Sequence, residues 1–199
     1  MNMIRLAFMN FKNSFKSYLS LILSLTFTIL VYFNFQNIIY SEVFAVLGQR
    51  NKDYIDMLIE IISIVLGCFM FFFLWYATNV FLTRRKREIG IYIFMGMSNR
   101  KIGVLYMIEI SLVGITALVM GISFGALFAG LFQMIMSALS DIAVQIDFIV
   151  SWKAIKMTSV SFAILYLFFT IKGYWNITHS SVLDLISAAR HNEYVHMSN

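Results

Sequence analysis

Apolar and polar residues do not alternate along this chain; they separate into four long apolar blocks, at about 18–38, 57–82, 102–139 and 149–174, divided by short polar stretches. No charged residue occurs between Ser17 and Ser41, and the run from Tyr18 to Phe35 is rich in Leu, Ile, Phe and Thr. At about 1.5 Å of rise per residue, blocks of this length cross the roughly 30 Å hydrocarbon core of a bilayer as helices. The pattern predicts an all-α integral membrane protein with four transmembrane helices. Ahead of them, Ile4, Phe8, Phe11 and Phe15 recur at helical spacing while Arg5, Lys12 and Lys16 fall largely elsewhere. This predicts an amphipathic interfacial helix over 1–16, with a partner-binding basic peptide as the alternative. Tyr32-Phe33-Asn34-Phe35-Gln36 supplies no small-residue cleavage motif, so the first block is expected to remain attached as a span rather than act as a signal peptide.

The interruptions carry most of the remaining information. Arg50, Lys52, Asp53 and Asp56 around Gly48 form a loop too small to fold as a domain. The second block ends on Thr83-Arg84-Arg85-Lys86-Arg87-Glu88-Ile89-Gly90, and its helix is expected to continue beyond the lipid into a cytoplasmic connection between helices two and three. Within that connection Gly96 is a helix stop and Ser98 an N-cap for the next helix, followed by the pair Arg100 and Lys101. In the third block Ala117, Gly121, Gly125 and Ala129 fall four residues apart, a small-residue ridge that lets another helix approach closely, within the bundle or between copies. Glu60 reads as an interfacial carboxylate or a functional intramembrane acid, and Lys153 and Lys156 as snorkelling cations or contacts for an acidic ligand. Asp141 and Asp147 bracket an outer loop, and 176–199 reads as a cytoplasmic tail with a short interfacial helix.

Composition agrees with a lipid environment: 60% of residues are hydrophobic, 13% are charged, and the mean hydropathy is +0.81, against about 25% charge in a soluble domain. Charge also orients the chain. With the N-terminus inside, Arg5, Lys12, Lys16, Arg84, Arg85, Lys86, Arg87, Arg100, Lys101, Lys172 and Arg190 are cytoplasmic and only Arg50, Lys52, Lys153 and Lys156 lie outside, eleven against four. This bias predicts that both termini are cytoplasmic, and it accounts for the net charge of +5 without nucleic acid. Proline is absent, so no proline kink is expected. Cys68 stands alone, and His179, His191 and His196 lack flanking cysteines, so neither a disulfide nor a metal site is expected. No phosphate-binding Gly-x-x-x-x-Gly-Lys-Ser/Thr loop and no paired catalytic groups occur, so neither an enzyme nor a bound cofactor is expected.

The block from Asn79 to Ile102, containing Arg84 to Gly90, Gly96-Met97-Ser98 and Arg100-Lys101, followed by Glu109 and then Gly114, Gly121 and Gly125, resembles the FtsX-like permease family. The opening Leu6-Ala7-Phe8-Met9-Asn10-Phe11-Lys12 and the tail segment from Val182 to Glu193 are similar to its bacitracin-export branch. The resemblance implies a four-helix transmembrane domain over 17–175 and a permease subunit of a bacterial plasma-membrane ABC transporter. Such a subunit couples ATP hydrolysis in a separate ATPase to export, extraction or sensing of a membrane- or cell-wall-active compound such as an antimicrobial peptide. It implies an ABC-type ATPase, a second permease half or copy and a sensor kinase as partners. It also implies Arg84, Arg85, Lys86, Arg87, Glu88, Gly96, Ser98, Arg100 and Lys101 as the surface that the ATPase grips. The branch carries a second permease half and a large extracellular domain later in the chain, so substrate recognition in that domain is assigned to no residue here. The competing reading is a non-transport membrane regulator or assembly partner built on the same bundle.

Overall fold

The computed structural model describes Ala7, Met9, Asn10 and residues 15–40, 52–140 and 150–179. Among these residues there are four long helices and no strands: α1 (Phe15–Ile39), α2 (Lys52–Phe94), α3 (Asn99–Ser140) and α4 (Trp152–His179). Each contains a stretch long and apolar enough to cross a membrane, at Tyr18–Ile39, Asp56–Thr83, Asn99–Phe132 and Trp152–His179. Most of the interfacial helix expected over 1–16, the loop carrying Asp141 and Asp147, and the tail from 180 onward lie outside the described residues. Residues 176–179, expected in that tail, continue α4 instead.

The α2 helix runs eleven residues past Thr83, about 16 Å at helical rise. It stops in a Schellman turn, in which the Gly96 amide donates to the Ile93 carbonyl at 2.9 Å and the Met97 amide to the Tyr92 carbonyl at 3.0 Å. Gly96 has φ 84°, a left-handed conformation that a Cβ would penalise. Two residues later the Ser98 carbonyl accepts the first intrahelical bond of α3, from the Ile102 amide at 3.2 Å. The connection between the two helices is therefore a tight capped turn.

The chain clusters into two compact units, and every helix contributes a segment to each. The unit of Ile22–Leu74 and Gly114–Tyr166 is built on the small-residue ridge. Ala117, Gly121, Gly125 and Ala129 are all buried. A Cβ on Gly121 would lie 2.6 Å from the Ile29 side chain, and one on Gly125 2.6 Å from Phe33, so α3 runs parallel to α1 at a distance only glycine allows. Gly114 similarly faces the Tyr166 ring on α4. Polar groups on α1 find partners across the same unit: Tyr32 donates to Ser161 at 3.3 Å, and the Asn37 side chain accepts from the Ser151 amide at 2.8 Å, at the start of α4.

The other unit comprises Met1–Leu21, Trp75–Val113 and Leu167–Asn199. Here α3 and α4 exchange tyrosines onto glycines, Tyr174 over Gly103 and Tyr106 over Gly173. This unit contains the basic run, the turn at Gly96 and the polar cluster described next.

Candidate functional site

The buried face of α2 repeats through Leu74, Thr78, Phe81, Arg85 and Ile89, steps of three and four residues that keep one helical stripe facing inward. Arg85 falls on that stripe. It is 7% exposed, and its guanidinium donates to Oε2 of Glu109 on α3 at 2.6 Å. Glu109 is itself 3% exposed, and both of its carboxylate oxygens accept hydrogen bonds. Asn10 Nδ2 donates to its Oε1 at 2.9 Å, and the Tyr18 hydroxyl donates to its Oε2 at 3.3 Å. Asn10 also donates to the Tyr92 hydroxyl at 3.1 Å. A lone arginine and a lone carboxylate would each be costly in this apolar setting; paired and hydrogen-bonded, they are tolerated.

Aromatic rings wall the pair. The Arg85 guanidinium carbon lies 5.0 Å from the Tyr18 ring centroid and 5.9 Å from that of Phe81, within cation–π range. Phe81 in turn stacks obliquely on Tyr18 at 5.6 Å and on Tyr106 at 5.8 Å. On the outer side Arg85 also pairs with Glu88, one turn along α2. Burial, and then the negative charge of Glu109, push the Glu88 carboxyl above the ordinary carboxylate value. One cation thus serves two carboxylates, and the cluster joins Asn10, α1, α2 and α3.

The residues that the resemblance groups as an ATPase contact separate in the structure. Arg85 is turned inward and spent on Glu109, so it does not belong to an accessible basic surface. Gly96, Ser98, Arg100 and Lys101 are exposed, and Lys86 and Glu88 are half-buried. Of Arg84 and Arg87 only the helical backbone is described. Glu60, a candidate intramembrane acid by sequence, is exposed. The acid that is buried and paired is Glu109, which composition and spacing passed over although it stands alone in the apolar block 102–139. An isolated carboxylate in a block of that length requires a partner, and that requirement was the available signal. Among the described residues no group of histidine, cysteine and acidic side chains is arranged to hold a metal ion.

The FtsX-like permease C-terminal family matches residues 60–182 of this chain. The chain belongs to the FtsX-like permease family. Similar proteins are ABC transporter permeases of Bacillus subtilis. One is an uncharacterised permease, YvcS, 28% identical over 96% of this chain and 29% of the relative; another is the bacitracin export permease protein BceB, 26% identical over 97% and 30%. The BceB of Halalkalibacterium halodurans is 24% identical over 97% of this chain and 30% of its own length. This permease sequence therefore spans less than a third of the curated relatives it matches. Membership of the family, together with four apolar helices, makes it a multi-pass plasma-membrane protein. The basic run, the Gly96 turn and Glu109 all fall inside the matched region.

Proposed function

We propose that this permease is the transmembrane part of an ABC transporter, in which a separate ATPase drives export, extraction or sensing of a membrane- or cell-wall-active compound such as an antimicrobial peptide. The observation that carries the reading is the continuous helical extension of α2 beyond its span, which ends at a capped turn flanked by exposed cations. Lys86, Glu88, Gly96, Ser98, Arg100 and Lys101 form the grip for the ATPase, and charge complementarity sets the register of docking. A push on that turn travels along α2 to Arg85. There the bonded pair with Glu109 obliges α3 and Asn10 to move with α2 rather than slide past it. The permease contributes no ATP chemistry, a second permease half or copy completes the pathway, and a sensor kinase joins where the transporter also signals. Similarity to bacitracin export permeases supports the substrate class.

Affinity purification from native membranes, with mass spectrometry of partners and an ATPase assay, tests the reading. An ABC ATPase is expected to co-purify and to be lost on Arg100→Glu/Lys101→Glu. Repeated purification without any ATPase would sink the transporter reading in favour of a membrane regulator.

A further inference from the structure

Two adjoining cavities open between α2 and α4 in the unit that carries the basic run. The larger, about 290 Å³, is lined by Asn79, Leu82, Thr83, Lys86 and Ile89 of α2 and by Asn176 and Ile177 of α4. The smaller, about 10 Å³, shares Asn79, Leu82 and Asn176 with it and adds Tyr106 and Lys172. From Thr78 to Ile89 the groove follows α2 for roughly 16 Å and crosses Thr83, where the membrane-spanning stretch ends. Its lining changes accordingly. Leu82, Ile89 and Ile177 offer apolar walls, Asn79, Thr83 and Asn176 are neutral and polar, and Lys86 and Lys172 supply two positive charges with no acidic residue in the lining among the described residues.

A second observation points the same way. Tyr106 is 4% exposed, and its hydroxyl, which belongs to a residue lining the smaller cavity, has no hydrogen-bond partner among the described residues. A buried hydroxyl left in that state is costly, so a polar group entering the groove gains what the protein does not supply. Lys172 has its ammonium 5.4 Å from the ring centroid of Trp75, one helical turn further into the span than Asn79.

We infer that this groove is a binding site for an anionic phospholipid, with the phosphate in the larger cavity beside Lys86 and Asn79, Lys172 adding positive charge deeper along the groove, and an acyl chain leaving along Leu82 toward Trp75. A phosphodiester fits the donors, its depth fits the span boundary, and two cations select an acidic over a zwitterionic headgroup. The site shares Lys86 with the docking surface proposed above, so its test reads lipid contact at Trp75 with no ATPase present.

Trp75 is a built-in reporter. With Trp152→Phe/Trp175→Phe it is the only tryptophan of the three, and brominated lipids quench it on contact. The full chain reconstituted in phosphatidylcholine vesicles is titrated with brominated phosphatidylglycerol or brominated phosphatidylcholine. Half-maximal quenching by phosphatidylglycerol is expected at a markedly lower mole fraction, since each lysine contributes roughly a five-fold preference. The preference should be lost in Lys86→Gln/Lys172→Gln and kept in Arg100→Gln/Lys101→Gln, whose cations lie off the groove. Equal quenching by the two lipids, or a preference that survives Lys86→Gln/Lys172→Gln, overturns the site. A preference abolished by soluble glycerol phosphate reassigns the groove to free phosphate esters and overturns the lipid.

Discussion

Arg85 illustrates how one residue's neighbours in sequence mislead about its neighbours in space. Four consecutive basic residues read as a single charged surface, yet a helix turns 100° per residue, and, unlike the adjacent Lys86, Arg85 continues the buried stripe of Phe81 and Ile89. That residue is consumed by Glu109. Its removal should therefore cost far more than removal of the adjacent Lys86. Arg85→Gln is expected to lower stability by roughly 3–5 kcal/mol, because it strands the buried Glu109 charge, and Glu109→Gln by less, because Arg85 keeps Glu88, whereas Lys86→Gln should stay within about 0.5 kcal/mol. Exchanging the charges in Arg85→Glu/Glu109→Arg should recover part of the loss, limited by repulsion between the new carboxylate and Glu88. Thermal unfolding in detergent micelles measures all four. Equal losses for Lys86 and Arg85 would remove the ion pair from the account of the fold.

At the scale of the element, glycine positions divide into those that define a helix contact and those that do not. Gly121 has the Ile29 side chain 2.6 Å and the Thr26 carbonyl 3.2 Å from where a Cβ would sit, while Gly67 has nothing within 4 Å. Both lie inside long apolar helices, so helix propensity alone would make alanine welcome at each. Packing separates them. Gly121→Ala should destabilise by about 1–3 kcal/mol, since Ile29 or the backbone of α1 must give way, and Gly67→Ala should be neutral or slightly stabilising. The four-residue spacing of the ridge was legible in sequence as a close helix contact. Its partner was not, because the spacing describes one surface and leaves the complementary one unspecified; Ile29 and Phe33 on α1 supply it.

The whole molecule is ordered by the bilayer. Half of the most apolar stretch of α1 is buried in protein against 11% of that of α2, so α1 is packed largely among the other helices while α2 exposes its apolar surface. The excess of basic residues at one end of the spans predicts that the turn between α2 and α3 is cytoplasmic. In a Cys68→Ser background Ser98→Cys, at the exposed turn between α2 and α3, should react with a membrane-impermeant maleimide only in inside-out vesicles. Labelling in intact cells would invert the topology and with it the docking of a cytoplasmic ATPase.

Length, hydropathy and residue type by themselves determined that four helices are long and apolar enough to cross a membrane, where the basic run lies, and that Gly96 and Ser98 end one helix and begin the next. Those properties depend on a helix's own composition and on local backbone chemistry, which neighbouring residues set. Only the tertiary structure decided that Arg85 leaves the basic surface for Glu109, that Asn10 and Tyr18 complete the carboxylate's bonds, and that α2 and α4 enclose a groove between Lys86 and Lys172. Each joins residues far apart in the chain, and such pairings follow from which helix faces meet rather than from what any one face contains.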